Sequence, residues 1–209
     1  MNGVPEIKVC GLRQGANIEQ VMALQPDYLG FIFYRHSPRF VTEVPVLPQD
    51  VSIRRVGVFV NAGEQEIDRQ RVRFGLDLLQ LHGSESPELC HLLRQSGAQV
   101  MKAFQVDECF DFHQTLPYQD CCDFFLFDTA TRGYGGSGRK FSWQLLEKYN
   151  NDRPVFLSGG IGPNDVQAIR QIQGLNLKAI DVNSQFEIKP GLKDIDKLAK
   201  FIAALRGEK

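Results

Sequence analysis

The sequence predicts an α/β protein, a single-domain (β/α)8 (TIM) barrel with short loops. Eight short runs of Val, Ile, Leu and Phe recur along the chain, each followed by a helix-like or turn-rich stretch. Several runs are continuously apolar rather than alternating, as expected for strands covered on both faces. The run ends also carry small or reactive residues: Cys10-Gly11, His82-Gly83, Asp128-Thr129, Ser158-Gly159-Gly160 and Asn183-Ser184. In such barrels the C-terminal strand ends form the active face. At 209 residues the chain lies near the lower end, about 200, for this fold, so one domain over 1–209 leaves room for few insertions.

Each element has its own signal. IKVCG (7–11) reads as strand one. Asn17, with Gln20 three residues on, reads as the N-cap of a helix to about Leu24. YLGFIF (28–33) is strand two, and Pro38 should fix the turn in the loop after it. RRVGVFV (54–60) is strand three, with a helix near 64–74. LLQLHG (78–83) is strand four, and Pro87 suits the first turn of the next helix. QVMKAFQV (99–106) is strand five, followed by a short helix from Asp107 to about Thr115. FFLFD (124–128), PVFLSGG (154–160) and KAIDVNS (178–184) are strands six to eight, with a helix from Pro163 to Ile172 between the last two. A final amphipathic helix spans about Lys193–Leu205, with Ile195, Leu198, Ala199, Ile202 and Leu205 on one face. The irregular stretch Thr129–Ser142 holds four glycines, and Thr129–Arg139 is expected to act as a lid.

Composition narrows the function. A net charge of -1 gives no global field for nucleic acid or anionic membrane, so any anion must be held by local groups. No apolar run approaches the length of a membrane span. MNGVPEIKVCG lacks the charged and apolar regions of a secretory leader, so a cytoplasmic protein is expected. The five cysteines are odd in number and include no CxxC pair, which speaks against zinc and disulfide frameworks.

Cys10 ends strand one. A buried cysteine is usually inert, but a strand end at the barrel mouth places a thiol where substrate arrives. Asp128 ends an apolar run; it is either a loop-ordering carboxylate or, between apolar walls, a proton donor near neutral pH. Gly159, Gly160, Ser184 and Gln185, on the loops after strands seven and eight, mark a phosphate site, because backbone N–H groups at glycine turns and helix N-termini bind anions without a lysine. Arg39 could hold a carboxylate with its planar fork, or be a solvated charge. His82 reads as a structural hydrogen-bonder. Asp181 could bind sugar hydroxyls or stabilise the mouth. His36, His91 and His113 have no metal spacing, and Cys121-Cys122 reads as packing or surface thiols.

Taken together, KVCG, GFIF with SPRFV, GVFVN, LQLHG, LFDT with GGSGRKFSW, LSGGI and DVNS with PGLKD resemble phosphoribosylanthranilate isomerases of tryptophan biosynthesis over nearly the whole chain. The resemblance implies an Amadori rearrangement of N-(5-phosphoribosyl)anthranilate to 1-(o-carboxyphenylamino)-1-deoxyribulose 5-phosphate. It implies Cys10 as general base and Asp128 as general acid. It places Arg39 on the anthranilate carboxylate and Asp181 on sugar hydroxyls, with His82 in the substrate site. It implies no metal and no organic cofactor, a small phosphosugar-anthranilate as partner, and a monomer or homodimer. One position departs. The family usually has glycine where this chain has Gln185, and valine where it has Phe186. A glycine there points to a backbone at positive φ, on which Gln185, next to the phosphate, would be strained. Two alternatives remain, another phosphosugar barrel and a binding barrel that has lost catalysis. A two-carboxylate phosphosugar isomerase should carry Asp at the end of strand one, and an indole-glycerol-phosphate synthase should carry a catalytic Lys at a strand end. A binding barrel without catalysis is favoured by Gln185 and opposed by Cys10 and Asp128.

Overall fold

The computed structural model describes residues 4–45, 52–129 and 142–208. Eight parallel strands close into a barrel in chain order. They are β1 (Glu6–Val9), β2 (Tyr28–Ile32), β3 (Arg54–Phe59), β4 (Leu78–Leu81), β5 (Gln99–Val106), β6 (Phe124–Thr129), β7 (Val155–Leu157) and β8 (Leu177–Val182). The expected barrel is therefore present, with the strands where the apolar runs place them. The helical elements are α1 (Gly15–Ala23), α2 (Glu64–Phe74), α3 (Pro87–Gln95), α4 (Val166–Arg170) and α5 (Ile195–Arg206), together with several 3-10 turns. Among the described residues no helix is long and apolar enough to cross a membrane.

Strand pleating sorts the side chains into two layers. Tyr28, Val56, Leu78, Met101, Phe124, Leu126, Phe156 and Ala179 fill the barrel. Their alternating neighbours, such as Ile7, Val9, Phe125, Phe127 and Ile180, pack outward against the helices. Each fully buried Phe or Leu contributes about 1.5–3 kcal/mol, so both layers hold the ring closed. The same parity aims the site. Residue 128 shares its face with Phe124 and Leu126, and residue 82 with Leu78. On β1, Lys8 is in register with Asp181 of β8, opposite the outward Ile7 and Val9. Lys8, Cys10, Gln80, His82, Asp128 and Asp181 thus all face the barrel axis at its mouth.

Several local expectations are corrected. Asn17 does not cap α1; residue 14 takes that position, with no side-chain cap bond. The buried Asn17 amide instead accepts from the Lys193 N–H at 2.7 Å and donates to the Lys193 carbonyl at 3.0 Å. Two backbone groups that would otherwise be buried unpaired outweigh a cap at an open helix end. The helix expected from Asp107 is a 3-10 turn over Phe112–Tyr118, capped by Asp111 and containing Pro117, which has no N–H to continue a helix. The segment after β7 is not one helix but a 3-10 turn (Pro163–Asp165) leading into the five-residue α4. A short hairpin, β9 (Glu187–Lys189) with β10 (Leu192–Lys193), precedes α5 and was not foreseen. On α5 Phe201 joins Leu198, Ile202 and Leu205 as the buried face. The expected lid beyond Thr129 lies outside the described residues.

Candidate active site

A cleft of about 370 Å³ opens at the C-terminal ends of the strands. Cys10, Arg39, His82, Asp128, Gly159, Gly160, Asp181 and Ser184 all line it. Of the residues expected to contact substrate or phosphate, Gln185 alone is not among those lining this cleft.

Cys10 is fixed from below by glycine. A Cβ on Gly30 of β2 would lie 2.8 Å from the Cys10 sulfur and 2.9 Å from its Cα. Only a residue without a side chain lets β2 pass that close. The thiol is buried, and burial pushes its pKa above the ordinary value, while Lys8 and Lys193 pull it back down. A thiolate here therefore depends on those two cations.

Lys8 is fully buried in the barrel, and its Nζ donates to Asp181 Oδ2 at 2.7 Å. Burial opposes the Lys8 charge, yet Asp181 and Cys10 outweigh it and its pKa stands above that of a free lysine. Asp181 is also raised, because burial of the carboxylate is only partly offset by Lys8. The two shifts disagree about how strongly the pair favours its charges. The short contact decides for a charged lysine, since an ammonium 2.7 Å from a carboxylate has its counterion in place. Asp181 Oδ1 has no partner among the described residues and is the atom left to meet a ligand.

His82 is hydrogen-bonded at one ring nitrogen and faces a carboxylate with the other. The Gln80 amide nitrogen lies 2.8 Å from Nδ1, and Nε2 lies 3.2 Å from Asp128 Oδ2. With Gln80 donating to Nδ1, the ring proton is on Nε2 and faces Asp128. The hydrogen-bond partner of His82 is therefore Gln80, and the strand-six carboxylate is its neighbour on the other side. Nε2 meets the ion-pair distance to Asp128 without good hydrogen-bond alignment, so the contact is loose in this state.

Arg39 is not solvated. Its Nε and Nη2 form a fork on Glu187, with contacts of 2.9, 3.0 and 2.6 Å. Glu187 also accepts from Lys193 Nζ at 2.9 Å and from the Gly191 N–H at 3.1 Å. Burial works against its charge, but Arg39 and Lys193 outweigh that and hold the carboxyl below the usual range. Burial in turn pulls Lys193 below the ordinary lysine range, against Glu187. Sequence reasoning missed Lys8, Lys193 and Glu187 as parts of the site. Their one signal was charge inside otherwise apolar or strand-flanking segments, where burial demands a partner.

After β7 the backbone turns through Gly159 at φ +94 and Gly160 at φ +67. A Cβ on Gly159 would also fall 2.8 Å from Thr129 Cβ. The Gly159 and Gly160 amides make no hydrogen bond among the described residues, so both are available to an anion. The neighbouring Gly162 N–H is already taken by Asp165 Oδ2 at 2.6 Å. The expected help from a helix N-terminus is therefore small. Gln185 corrects the sequence expectation. It lies in a 3-10 turn (Ser184–Phe186), among the exposed residues, and is not one of the residues at positive φ. Its backbone is unstrained, since negative φ is open to any side chain.

Known proteins of one family resemble this chain over nearly its whole length. The family described as N-(5'phosphoribosyl)anthranilate (PRA) isomerase matches residues 7–204. An N-(5'-phosphoribosyl)anthranilate isomerase of Parabacteroides distasonis is 48% identical over 201 residues, spanning 94% of this chain and 91% of that protein. The crystal structure of phosphoribosyl anthranilate isomerase from Thermotoga maritima superposes with a TM-score of 0.84 at 34% identity, covering 97% of this chain and 99% of the other. A phosphoribosyl anthranilate isomerase in complex with reduced 1-(o-carboxyphenylamino)-1-deoxyribulose 5-phosphate gives a TM-score of 0.80 at 30% identity, with coverage of 97% and 99%.

Proposed function

The chain belongs to the N-(5'-phosphoribosyl)anthranilate isomerase family, and we propose that it carries out that isomerisation in tryptophan biosynthesis with Cys10 as general base and Asp128 as general acid. The observation that carries the residue assignment is the meeting of the strand-one thiol and the strand-six carboxyl in one cleft, beside two unpaired glycine amides.

Asp128 protonates the ribose ring oxygen, and the ring opens to the protonated Schiff base. The carboxylate left behind is stabilised by the His82 Nε2–H that faces it. The Cys10 thiolate then removes the proton from C2, and the electrons of that C–H bond flow into the iminium. The resulting enolamine becomes the aminoketose by proton return. The iminium itself withdraws the electrons, so the chemistry requires no metal or organic cofactor. Lys8 and Lys193 favour the thiolate that this step needs, and Asp181 presents Oδ1 to a sugar hydroxyl. Arg39, positioned by Glu187, faces the anthranilate carboxylate. The phosphate rests on the amides of Gly159 and Gly160, with Ser184 on the facing loop. Gln185 borders this site without lining the cleft, and the Gln185 side chain is not a ligand.

The test is an activity assay on the purified chain, following the loss of the fluorescent aminoaldose. Turnover lowered by about 10²-fold or more in Asp128→Asn and in Cys10→Ala, with the aminoketose identified as wild-type product, supports the reading. An inactive wild-type protein that still binds phosphate overturns it in favour of a binding barrel.

A further inference from the structure

Away from the cleft, three thiols meet in the wall of the barrel. Cys90 lies on α3, and Cys121 and Cys122 lie between the Phe112–Tyr118 turn and β6. They are 0%, 5% and 0% exposed, and their sulfurs all lie within 4.8 Å of one another. Thirty residues separate Cys90 from Cys121, so no ligand spacing in the sequence announces them.

We propose that Cys90, Cys121 and Cys122 form a binding site for a trivalent thiophilic species of the arsenous acid class, held by three thiolates. Geometry allows it. A triangle of 4.8 Å edge has its corners about 2.8 Å from its centre, and a thiolate–ion bond is about 2.3 Å, so from the widest spacing each sulfur moves inward by roughly 0.5 Å for an ion in their plane and by somewhat under 1 Å for a pyramidal one.

Charge selects the class. The charged groups that act on Cys90 are Lys102 and Glu85, which form a pair at 3.2 Å and cancel. Lys102 is further satisfied by the carbonyls of Leu81, Gly83 and Ala103. Cys121 rests against the Pro117 and Tyr118 carbonyls, at 3.8 and 3.5 Å, as a protonated thiol does. Three thiolates around a divalent ion would bury one net negative charge, and around a monovalent ion two. Around a trivalent ion they bury none, which is what an apolar wall tolerates. Tetrahedral zinc would also need a fourth ligand, and no fourth His, Cys, Asp or Glu joins the group among the described residues. A disulfide within the adjacent pair is disfavoured as well. Neighbouring Cα atoms sit about 3.8 Å apart, short of the range of about 4.4–6.8 Å that disulfides use.

The step balances without any oxidant. As(OH)3 meets three S–H groups; three As–O and three S–H bonds break, three As–S bonds form, and each hydroxide leaves as water with a thiol proton. Arsenic stays trivalent throughout.

Native mass spectrometry of the full chain, kept reduced with a phosphine rather than a thiol, reads this directly with sodium arsenite. One adduct is expected, heavier by one arsenic less three hydrogens. Cys90→Ala, Cys121→Ala and Cys122→Ala should each weaken binding by about 10²-fold, because each thiol acts at high effective concentration once the first has reacted. Cys109→Ala, at an exposed thiol, should bind like wild type. Isomerase turnover of every variant serves as the check on folding, and turnover of the loaded wild type should be unchanged because the triad lies outside the cleft. Cys121→Ala, at the least buried of the three, keeps the test open if the other two variants fail to fold. The proposal is overturned by an adduct that retains an arsenic hydroxyl, by loading that stops turnover and so reports Cys10, or by tight zinc binding with no arsenite adduct.

Discussion

Lys8→Met is expected to destabilise the barrel in a pH-dependent way. Lys8 and Asp181 are 0% and 5% exposed at their side chains and 2.7 Å apart. Removing one partner of such a pair costs about 3–5 kcal/mol, because the other charge stays buried without compensation. The upper part of that range applies here. Asp181 Oδ1 already lacks a partner, so the substitution leaves both oxygens unpaired. A domain in the middle or upper part of the ordinary range of about 5–15 kcal/mol still folds after that loss. In the variant the folded-state pKa of Asp181 is raised above its unfolded value of about 3.9, so the folded chain holds a proton that the unfolded chain has lost. Stability then falls as pH rises through that window, and the deficit against wild type is smallest in mild acid and largest in mild alkali. Urea unfolding followed by circular dichroism at both pH values measures it. Lys8→Met combined with Asp181→Leu leaves no buried charge and should recover more than half of the deficit. A deficit that is the same at every pH, or a double variant as unstable as the sum of the singles, would refute the reasoning.

Cys10→Ala should lose about 10²–10⁴ in turnover with KM little changed, the pattern for removing a proton acceptor rather than an anchor. Because burial raises the Cys10 pKa, kcat/KM of the wild type should keep climbing with pH through neutrality as thiolate accumulates, and Lys8→Met should push that limb to higher pH; a flat profile across this range counts against Cys10 as the base. Asp128→Asn should be at least as damaging, because ring opening needs a proton delivered to the sugar oxygen; an Asn variant that keeps most of the wild-type turnover counts against Asp128 as the acid. Gln185→Gly should destabilise the fold by about 0.4–1 kcal/mol, since at negative φ the glycine only loosens the unfolded chain, and inhibition by inorganic phosphate should be unchanged; weaker inhibition of the glycine form would make the Gln185 side chain a ligand.

The barrel and its mouth were legible because they depend on local signals. Continuous apolar runs mark two-sided strands, and β5 begins and ends where QVMKAFQV does. Strand ends then place Cys10, Asp128 and the Gly159-Gly160 turn without any knowledge of contacts. Asn17 misled because a capping pattern and a clamp on β10 use the same residue types, and the deciding partner, Lys193, is 176 residues away. The Lys8–Asp181 pair is similarly remote, joining the first and last barrel strands. Gln185 misled for a different reason. The family glycine was read as a demand for positive φ, whereas a 3-10 turn after β8 needs only a backbone that most residues adopt. The cysteine triad left no trace in the sequence because it is assembled across the outer layer and not along one element.

The fork between Arg39 and Glu187 changes what a ligand encounters. A free arginine side chain has about 2 kcal/mol of rotamer entropy to lose on being immobilised. Here that loss occurs when the protein folds, since Nε and Nη2 are already anchored and the side chain is only 12% exposed. Nη1 takes no part in the fork, and the anchored guanidinium plane fixes where it stands. A carboxylate arriving there meets a stationary donor, so discrimination at that corner follows the shape and angle of the incoming group rather than the reach of a flexible arm. Lysine in place of Arg39 would keep the charge and lose this property, because a single ammonium cannot grip Glu187 in the plane and still offer a second, independently aimed donor.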